Sequence, residues 1–290
     1  MLATQGAILR VATYNLENYL DAPIPGRMSK SPEAKVQVQE SILRVRPDIA
    51  ALEELGGKGA LVELQGSLKE RGLDLPYWEL VSAADTNIHL GVLSKFPFQA
   101  SHPHTNESFL LNGRRFHLSR GFAELDFVLK SGYRFSVIAA HLKSKRLAAA
   151  ADEAEIRLEE AKLLRDVIDA RLTADPQLHL VVLGDFNDTK ESDPVKAIMG
   201  NGKAKLVDTR PAEWDPSSDQ GRPALGKNGR SITWTHYYNV EDSYRRIDYI
   251  LLSRSMARDW VPEQSYVLAG SNWSRASDHR PVVATFQTPD

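Results

Sequence analysis

The sequence predicts an α/β fold, with two mixed β-sheets packed face to face and helices outside. Three observations predict it. Short apolar runs rich in β-formers recur along the whole chain. They alternate with rather few segments of helical spacing. Strand candidate after strand candidate ends in acids, amides or histidines, so a sandwich would gather those ends at one edge.

In chain order, Ile8-Leu9-Arg10-Val11-Ala12-Thr13-Tyr14 predicts the first strand, ending in Asn15-Leu16-Glu17-Asn18. Asp21 to Pro32 carries Pro and Gly and reads as a loop. Glu33 to Val45 has Val38, Ile42 and Val45 on one helical face, and Pro47 ends it. Asp48-Ile49-Ala50-Ala51-Leu52-Glu53-Glu54-Leu55 is a short buried run into two carboxylates. Strand parity puts Glu53 and Glu54 on opposite faces, one toward a site and the other toward solvent. The ordinary alternative is a pair of solvated glutamates opening the next helix. Ala60 to Arg71 reads as helix through Leu61, Leu64 and Leu68, with Gly72 as its stop.

Tyr77 to Ala83, His89 to Ser94, Gly121 to Leu129 and Tyr133 to Ala140 follow as strands. Alternation of Phe122, Glu124, Asp126 and Val128 with Ala123, Leu125, Phe127 and Leu129 predicts a half-buried strand, and Ser131-Gly132 a hairpin turn. The strand before Ala140 runs into His141-Leu142-Lys143-Ser144-Lys145-Arg146. Ala148 to Leu172 is the longest helix candidate, with Leu164, Val167, Ile168 and Arg171 along one face. Leu178 to Leu183 is a buried strand that ends in Gly184-Asp185-Phe186-Asn187-Asp188. Asp185 and Asn187 share a face if the extended geometry persists, a carboxylate and an amide suited to a water, a hard cation or a phosphate oxygen. The ordinary alternative there is an Asx turn.

Pro194 to Met199 reads as a short helix. Thr209 to Ser231, rich in Pro, Gly, Ser and charge, reads as a long surface loop and a candidate substrate-facing flap. Ile232-Thr233-Trp234-Thr235 and Arg246 to Leu252 are further strands, with Asp248 near the start of the second. Ala276-Ser277-Asp278-His279-Arg280-Pro281 feeds a final strand through Phe286. No repeat and no linker interrupts the chain, so a single domain over 1–290 is expected.

Bulk properties exclude several classes. There is no cysteine, so disulfides, thiolate zinc sites and cysteine nucleophiles are ruled out. The net charge of −2 gives no global basic field, though a local basic cleft remains compatible with it. No run of 18 apolar residues suits a membrane span, and Met1 to Ala7 lacks the features of a signal peptide, which leaves the compartment open. His89, His102, His104, His117, His179 and His236 carry no motif and are expected to be structural.

The blocks Thr13-Tyr14-Asn15-Leu16, Leu52-Glu53-Glu54, His141-Leu142, Gly184-Asp185-Phe186-Asn187, Thr233-Trp234, Arg246-Ile247-Asp248-Tyr249 and Ser277-Asp278-His279-Arg280-Pro281-Val282 carry a resemblance. In this order, from residue 8 to residue 286, they resemble the endonuclease/exonuclease/phosphatase superfamily. The resemblance implies a four-layer α/β sandwich and Mg²⁺- or Mn²⁺-dependent hydrolysis of a phosphoester. It implies Glu54, Asn15 and Asp278 as the metal-binding set. It implies Asp185 as the residue that orients or deprotonates the attacking water, and Asn187 as an amide on a phosphate oxygen. His141 and His279 would flank the scissile phosphate, Asp278 would partner His279, and Asp248 would support a site histidine. The family usually has Gln where this chain has Glu53, a departure expected to add negative charge near the site.

These roles agree with the chemistry. An anionic phosphodiester repels hydroxide, so the site must supply positive charge, from a hard cation on oxygen ligands and from histidine donors. A carboxylate beside a histidine, such as Asp278, fixes its tautomer and favours its protonated form. Lys143, Lys145 and Arg146 are candidates for neighbouring phosphates, or else a solvated charge run, and Trp234 is a candidate base contact. The expected function is a metal-dependent nuclease, acting as a monomer on nucleic acid. The same chemistry on a small or lipid phosphoester is the alternative, since fold and catalytic set do not separate the two. A non-catalytic binding module is the remote third, disfavoured because every expected site position is filled.

Overall fold

The computed structural model describes residues 6–146, 151–216, 233–270 and 273–289. The first half builds β1 (Ala7–Tyr19), α1 (Pro32–Val45), β2 (Ile49–Leu55), α2 (Lys58–Glu70), β3 (Tyr77–Val81) and β4 (His89–Ser94). β5 (Ala100–His104), β6 (Ser108–Leu111), β7 (Arg114–His117), β8 (Phe122–Val128) and β9 (Arg134–His141) follow. Next come α3 (Glu153–Ala174), β10 (Leu180–Asp185), α4 (Asp193–Met199), β11 (Val207–Asp208) and β12 (Ala212–Trp214). The chain closes with β13 (His236–Tyr238), β14 (Ser243–Arg245), β15 (Asp248–Leu252), α5 (Met256–Asp259), β16 (Tyr266–Leu268), α6 (Trp273–Ala276) and β17 (Val282–Thr288). No described helix is long and apolar enough to cross a membrane.

Two mixed sheets result. One has the order β12-β16-β17-β1-β2-β4-β3, the other β11-β15-β10-β9-β8-β5. Alternating residues of each central strand face opposite layers. Val181 and Leu183 of β10 and Val137 and Ala139 of β9 meet Val11, Ile49, Ala51 and Val92 between the sheets. Leu180, Val182, Ile138 and Ala140 instead pack under Leu164 and Ile168 of α3 and Val195 and Ile198 of α4. On the far side, Leu52 and Leu55 pack under Val38 and Ile42 of α1 and Leu61, Leu64 and Leu68 of α2. Helices, sheet, sheet, helices make the four layers that the resemblance implies, and burial on both faces explains the near-continuous apolar runs of β2, β9 and β10.

Several elements depart from the sequence reading. β5, the β6–β7 hairpin, β12 and β16 were not foreseen. β5 sits at a sheet edge, where Pro103 is tolerated, and its polar sequence shows no alternation. Thr233 to Thr235 form no strand. Instead Thr235 Oγ1 accepts from the backbone N–H groups of Ile247 and Asp248, both at 3.1 Å, which also delays β15 to Asp248. α3 begins at Glu153, capped by Asp152 accepting from Ala154 N at 2.7 Å. The expected start of that helix at Ala148, most of the expected flap over Thr209 to Ser231, and Ile232 lie outside the described residues. The polar face of β8 is roofed rather than solvated. Arg171 of α3 reaches down to Glu124 at 2.5 Å and Asp126 at 2.6 Å.

Sheet direction gathers the functional strand ends. β1 and β2 run parallel, as do β9 and β10, so Asn15, Glu54, His141 and Asp185 all emerge at C-terminal ends. β15 runs antiparallel to β10, which sets Asp248 opposite Asp185. β17 runs antiparallel to β1 and brings the loop with Asp278 and His279 to the same edge.

Candidate active site

At that edge lies a cleft of about 590 Å³, lined by Asn15, Glu17, Glu54, Asp185, His236 and His279 among others. Asp185 is at its floor, 1% exposed. Gly184 lets β10 arrive there. Its φ is +140°, and a Cβ would stand 1.8 Å from the Ala140 carbonyl oxygen, so only glycine fits. Asn187, at φ +54°, turns back so that its N–H donates to Asp185 Oδ1 at 2.8 Å. The Asx turn is therefore real, and it is this turn rather than strand parity that brings the two together. Asn15 Nδ2 and Asn187 Nδ2 donate to Asp185 Oδ2 at 2.9 and 3.2 Å. Asn187 Nδ2 also donates to the Leu142 carbonyl at 3.0 Å, so its amide hydrogens serve the protein. Burial, then the nearby Asp248 charge, push the Asp185 carboxyl up to about 6.

His279 faces Asp185 with Nε2, 3.8 Å from Oδ2. Its Nδ1 is gripped from behind by both Asp248 oxygens, at 3.1 and 3.0 Å. Burial opposes charge on this ring, but Asp248 and Asp185 outweigh it and raise its pKa well above the usual histidine value. Asp248, not Asp278, is thus the carboxylate that fixes the His279 tautomer. Asp278 Oδ1 stands 3.9 Å from His279 Nε2, and its Oδ2 is nearer His236 Nε2, at 3.7 Å. Ser277 holds the loop, donating from Oγ to the Asn15 carbonyl at 2.8 Å while accepting from His279 N at 3.0 Å.

His141 has its Nε2 3.6 Å from Asp185 Oδ2, and neither ring nitrogen has a hydrogen-bond partner. Burial, then the positive charges of Arg120 and His279, push its pKa well below the usual value, so it stands as a neutral ring.

The two glutamates part as parity predicts, but with a different outcome. Glu53 points between the sheets, 0% exposed, with Thr13 Oγ1 donating to its Oε1 at 2.7 Å. Burial, then Asp248 and Asp185, raise its pKa well above the usual carboxylate value, against the Thr13 hydrogen bond, and favour the neutral acid over the negative charge expected there. Register shifts interrupt the β1–β2 and β2–β4 pairing between Asn15 and Tyr19 and between Leu52 and Leu55. In these bulges Glu17, Asn18 and Glu54 take positive φ. Glu54 lines the cleft, where its Oε2 pairs with Arg27 Nη1 at 3.0 Å and accepts from Asn18 N at 3.2 Å.

The donor chemistry fits a hard divalent cation. Carboxylates of Glu54, Glu17 and Asp278 and the amide of Asn15 share this wall of the cleft. Burial, then the Asp278 charge, raise the Glu17 pKa, which is the repulsion a cation would relieve. Donor atoms of His236, Asp278 and His279 also converge within 4.8 Å, as do those of Asp185, Asp248 and His279.

Other expected residues scatter. Lys145 and Arg146 line the cleft, Lys145 Nζ lying 3.5 Å from Asp188. Lys143 lines a neighbouring hollow instead. Trp234 packs into an aromatic group, 4.7 Å from Trp273 and 4.9 Å from Tyr244 between ring centroids, with the Arg280 guanidinium 4.2 Å over its ring. Its expected place at the cleft is taken by His236 and Tyr238. Sequence reasoning left His236 among the structural histidines. It reaches the site through an antiparallel bridge to His279, with the rings 4.5 Å apart. Arg27 was likewise missed, since nothing in a Pro/Gly loop marks one arginine.

The family model described as the endonuclease/exonuclease/phosphatase family matches residues 12–279. No curated protein matches the chain in sequence. Solved structures share the fold. The human Nocturnin catalytic domain with bound sulfate superposes with a TM-score of 0.63 at 16% identity, over 96% of this chain and 94% of that one. Sphingomyelinase C from Streptomyces griseocarneus gives 0.64 at 18%, over 97% and 99%. Truncated Caenorhabditis elegans TDP2 gives 0.63 at 15%, over 97% and 98%. On the family match, which spans nearly its whole length, the chain belongs to the endonuclease/exonuclease/phosphatase family of phosphoester hydrolases.

Proposed function

We propose that the protein is a divalent-metal-dependent phosphodiesterase acting on nucleic acid, in a single catalytic unit spanning residues 8–286. One observation carries the chemistry: Asp185, braced by Asn15 and Asn187, opposes Nε2 of His279, whose Nδ1 is held from behind by Asp248 at 3.0 Å. Asp185, with a pKa of about 6, takes a proton from the attacking water and is matched to work near neutral pH. His279, kept protonated by Asp248, donates from Nε2 to a phosphate oxygen and stabilises the charge that develops there. Neutral His141 offers one N–H from the opposite side. Asn187 is a positioning residue, because its amide hydrogens serve Asp185 and Leu142 rather than substrate. Glu54, Asn15 and Asp278 would hold Mg²⁺ or Mn²⁺, which supplies positive charge against the anionic ester when bound.

Support for a nucleic-acid substrate comes from the cleft rim. Lys145, Arg146 and Arg245 line it beside the ring of Tyr238, cations for backbone phosphates and an aromatic face for a base. The test compares plasmid DNA with bis-p-nitrophenyl phosphate over 50–300 mM salt. DNA cleavage should fall steeply with salt while the small diester changes little. A shared flat profile, or turnover of the small ester alone, would favour a small or lipid phosphoester.

A further inference from the structure

The cleft shares Ser144 and Arg146 with a second hollow of about 360 Å³, walled by Arg27, His117, Arg120 and Lys143. Its charge is one-sided. Its lining carries four cations, Arg27, Arg120, Lys143 and Arg146, and one carboxylate, Asp85, 3.6 Å from Arg120 Nε, while Glu54 pairs with Arg27 at 3.0 Å and the buried Glu160 carboxylate accepts from the Ser119 and Lys143 backbone N–H groups behind it. In a chain of net charge −2 this is a local concentration. It is also built. Arg120 is 4% exposed, its Nη1 donates to the Leu142 carbonyl at 2.9 Å, and its Nε has no hydrogen-bond acceptor. Lys143 Nζ is held by the carbonyls of Ser144 and Arg146, at 3.2 and 2.8 Å. Burial, then Arg120, lower the Lys143 pKa. Such crowding of like charges is costly unless an anion offsets it.

We propose that this hollow is a second phosphate subsite, which seats a non-scissile phosphate of the substrate while the scissile one lies between Asp185 and His279. Arginine forks and a lysine ammonium are the side chains that bind phosphate oxygens. Arg27 ties the two sites together, because its Nη1 also donates to Asn18 Oδ1 at 2.6 Å and to Glu54 at the cleft wall. The proposal rests on the phosphodiesterase reading and narrows it. A substrate with two phosphates spaced along a strand fills both sites, whereas a single-phosphate lipid head group leaves the second one without a ligand.

The experiment measures equilibrium binding of the dinucleotide TpT, the trinucleotide TpTpT and the terminally phosphorylated pTpT and TpTp. It is run with Mg²⁺ and, to remove turnover, with chelator. TpTpT should bind about tenfold more tightly than TpT, the scale of one charge-assisted phosphate contact, and the preference should survive chelator. Lys143→Gln should collapse that ratio to about one and Lys143→Arg should restore most of it, with melting curves confirming that both fold. Preference for pTpT or TpTp without preference for TpTpT would support the subsite and assign it to a strand end. Equal binding of all four by the native protein, or an undiminished ratio in Lys143→Gln, would overturn it. An intact preference without Mg²⁺-dependent hydrolysis of any of them would instead sink the catalytic reading and leave the subsite standing.

Discussion

Replacing Asp248 by Asn removes one charge from the site and almost no volume. Asp248 Oδ2 lies 3.0 Å from His279 Nδ1, with the side chains 1% and 6% exposed. At an effective dielectric constant of about 20, a unit ion pair at that distance is worth roughly 5 kcal/mol. Asp185, 3.8 Å from Nε2, keeps part of the stabilisation of the imidazolium, and desolvation already offsets another part. About 3–4 kcal/mol of transition-state stabilisation is then lost, which at about 1.4 kcal/mol per tenfold corresponds to a fall in kcat of about 10²–10³. KM should change little, because the charge on His279 matters most where charge develops. The assay is steady-state hydrolysis of bis-p-nitrophenyl phosphate with Mg²⁺, beside a thermal melt to show the fold intact. A folded Asp248→Asn protein with kcat within tenfold of the native value, or with its whole loss in KM, would show that Asp248 does not sustain the charge on His279.

Other outcomes follow from the same structure. Chelator should abolish hydrolysis and excess Mg²⁺ restore it, and Glu54→Gln should raise the Mg²⁺ needed for half-maximal rate by about 10–100-fold. An unchanged Mg²⁺ titration in that variant would remove Glu54 from the metal-binding set. Gly184→Ala must push a Cβ against the Ala140 carbonyl, and should cost about 3 kcal/mol and lower Tm by roughly 6–10 °C, whereas an unshifted melt would contradict the close approach. The hydrogen bond to Glu124 raises the His104 pKa above 6.5. Its stabilising contribution is therefore complete below about pH 6.5 and fades as pH rises through the folded value. For Glu124, burial opposes ionisation, but His104 and Arg171 prevail and lower its pKa below 4.5. Its contribution is present above about pH 4.5 and fades as pH falls through the folded value. Urea unfolding across pH 5–9 should thus show a decline above pH 6.5 that His104→Gln lacks, and parallel curves for the two proteins would contradict the pairing.

Legibility in the sequence tracked locality. β2, β9 and β10 are buried on both faces, so their apolar runs stand out in a short window, and the polar residues at their ends stand out with them. The relation of Asp185 to Asn187 is also local, although its form, a left-handed turn at Asn187, overrode the extended geometry that parity assumes. What escaped was set by pairing across the chain. His236 enters the cleft only because β13 bridges the loop before β17, and Trp234 is drawn away from it by Arg280 and Trp273. Neither fact leaves a mark on the neighbouring residues. Asp248 is of the same kind: the resemblance implies that it supports a site histidine and that Asp278 partners His279, and the antiparallel register of β15 against β10 makes His279 the ring that Asp248 holds. Glu53 shows the electrostatic version, where the pKa of a carboxyl that reads as charge is pushed up by a surrounding core that composition does not describe.

The most direct test is hydrolysis of linear and supercoiled DNA, bis-p-nitrophenyl phosphate and a phosphomonoester by native and His279→Ala protein, each with Mg²⁺ and with chelator. Mg²⁺-dependent cleavage of DNA and of the diester is expected, lost in chelator and reduced about 10²–10⁴-fold by His279→Ala. Native-level diester cleavage by His279→Ala, or equal rates with and without chelator, would contradict that expectation.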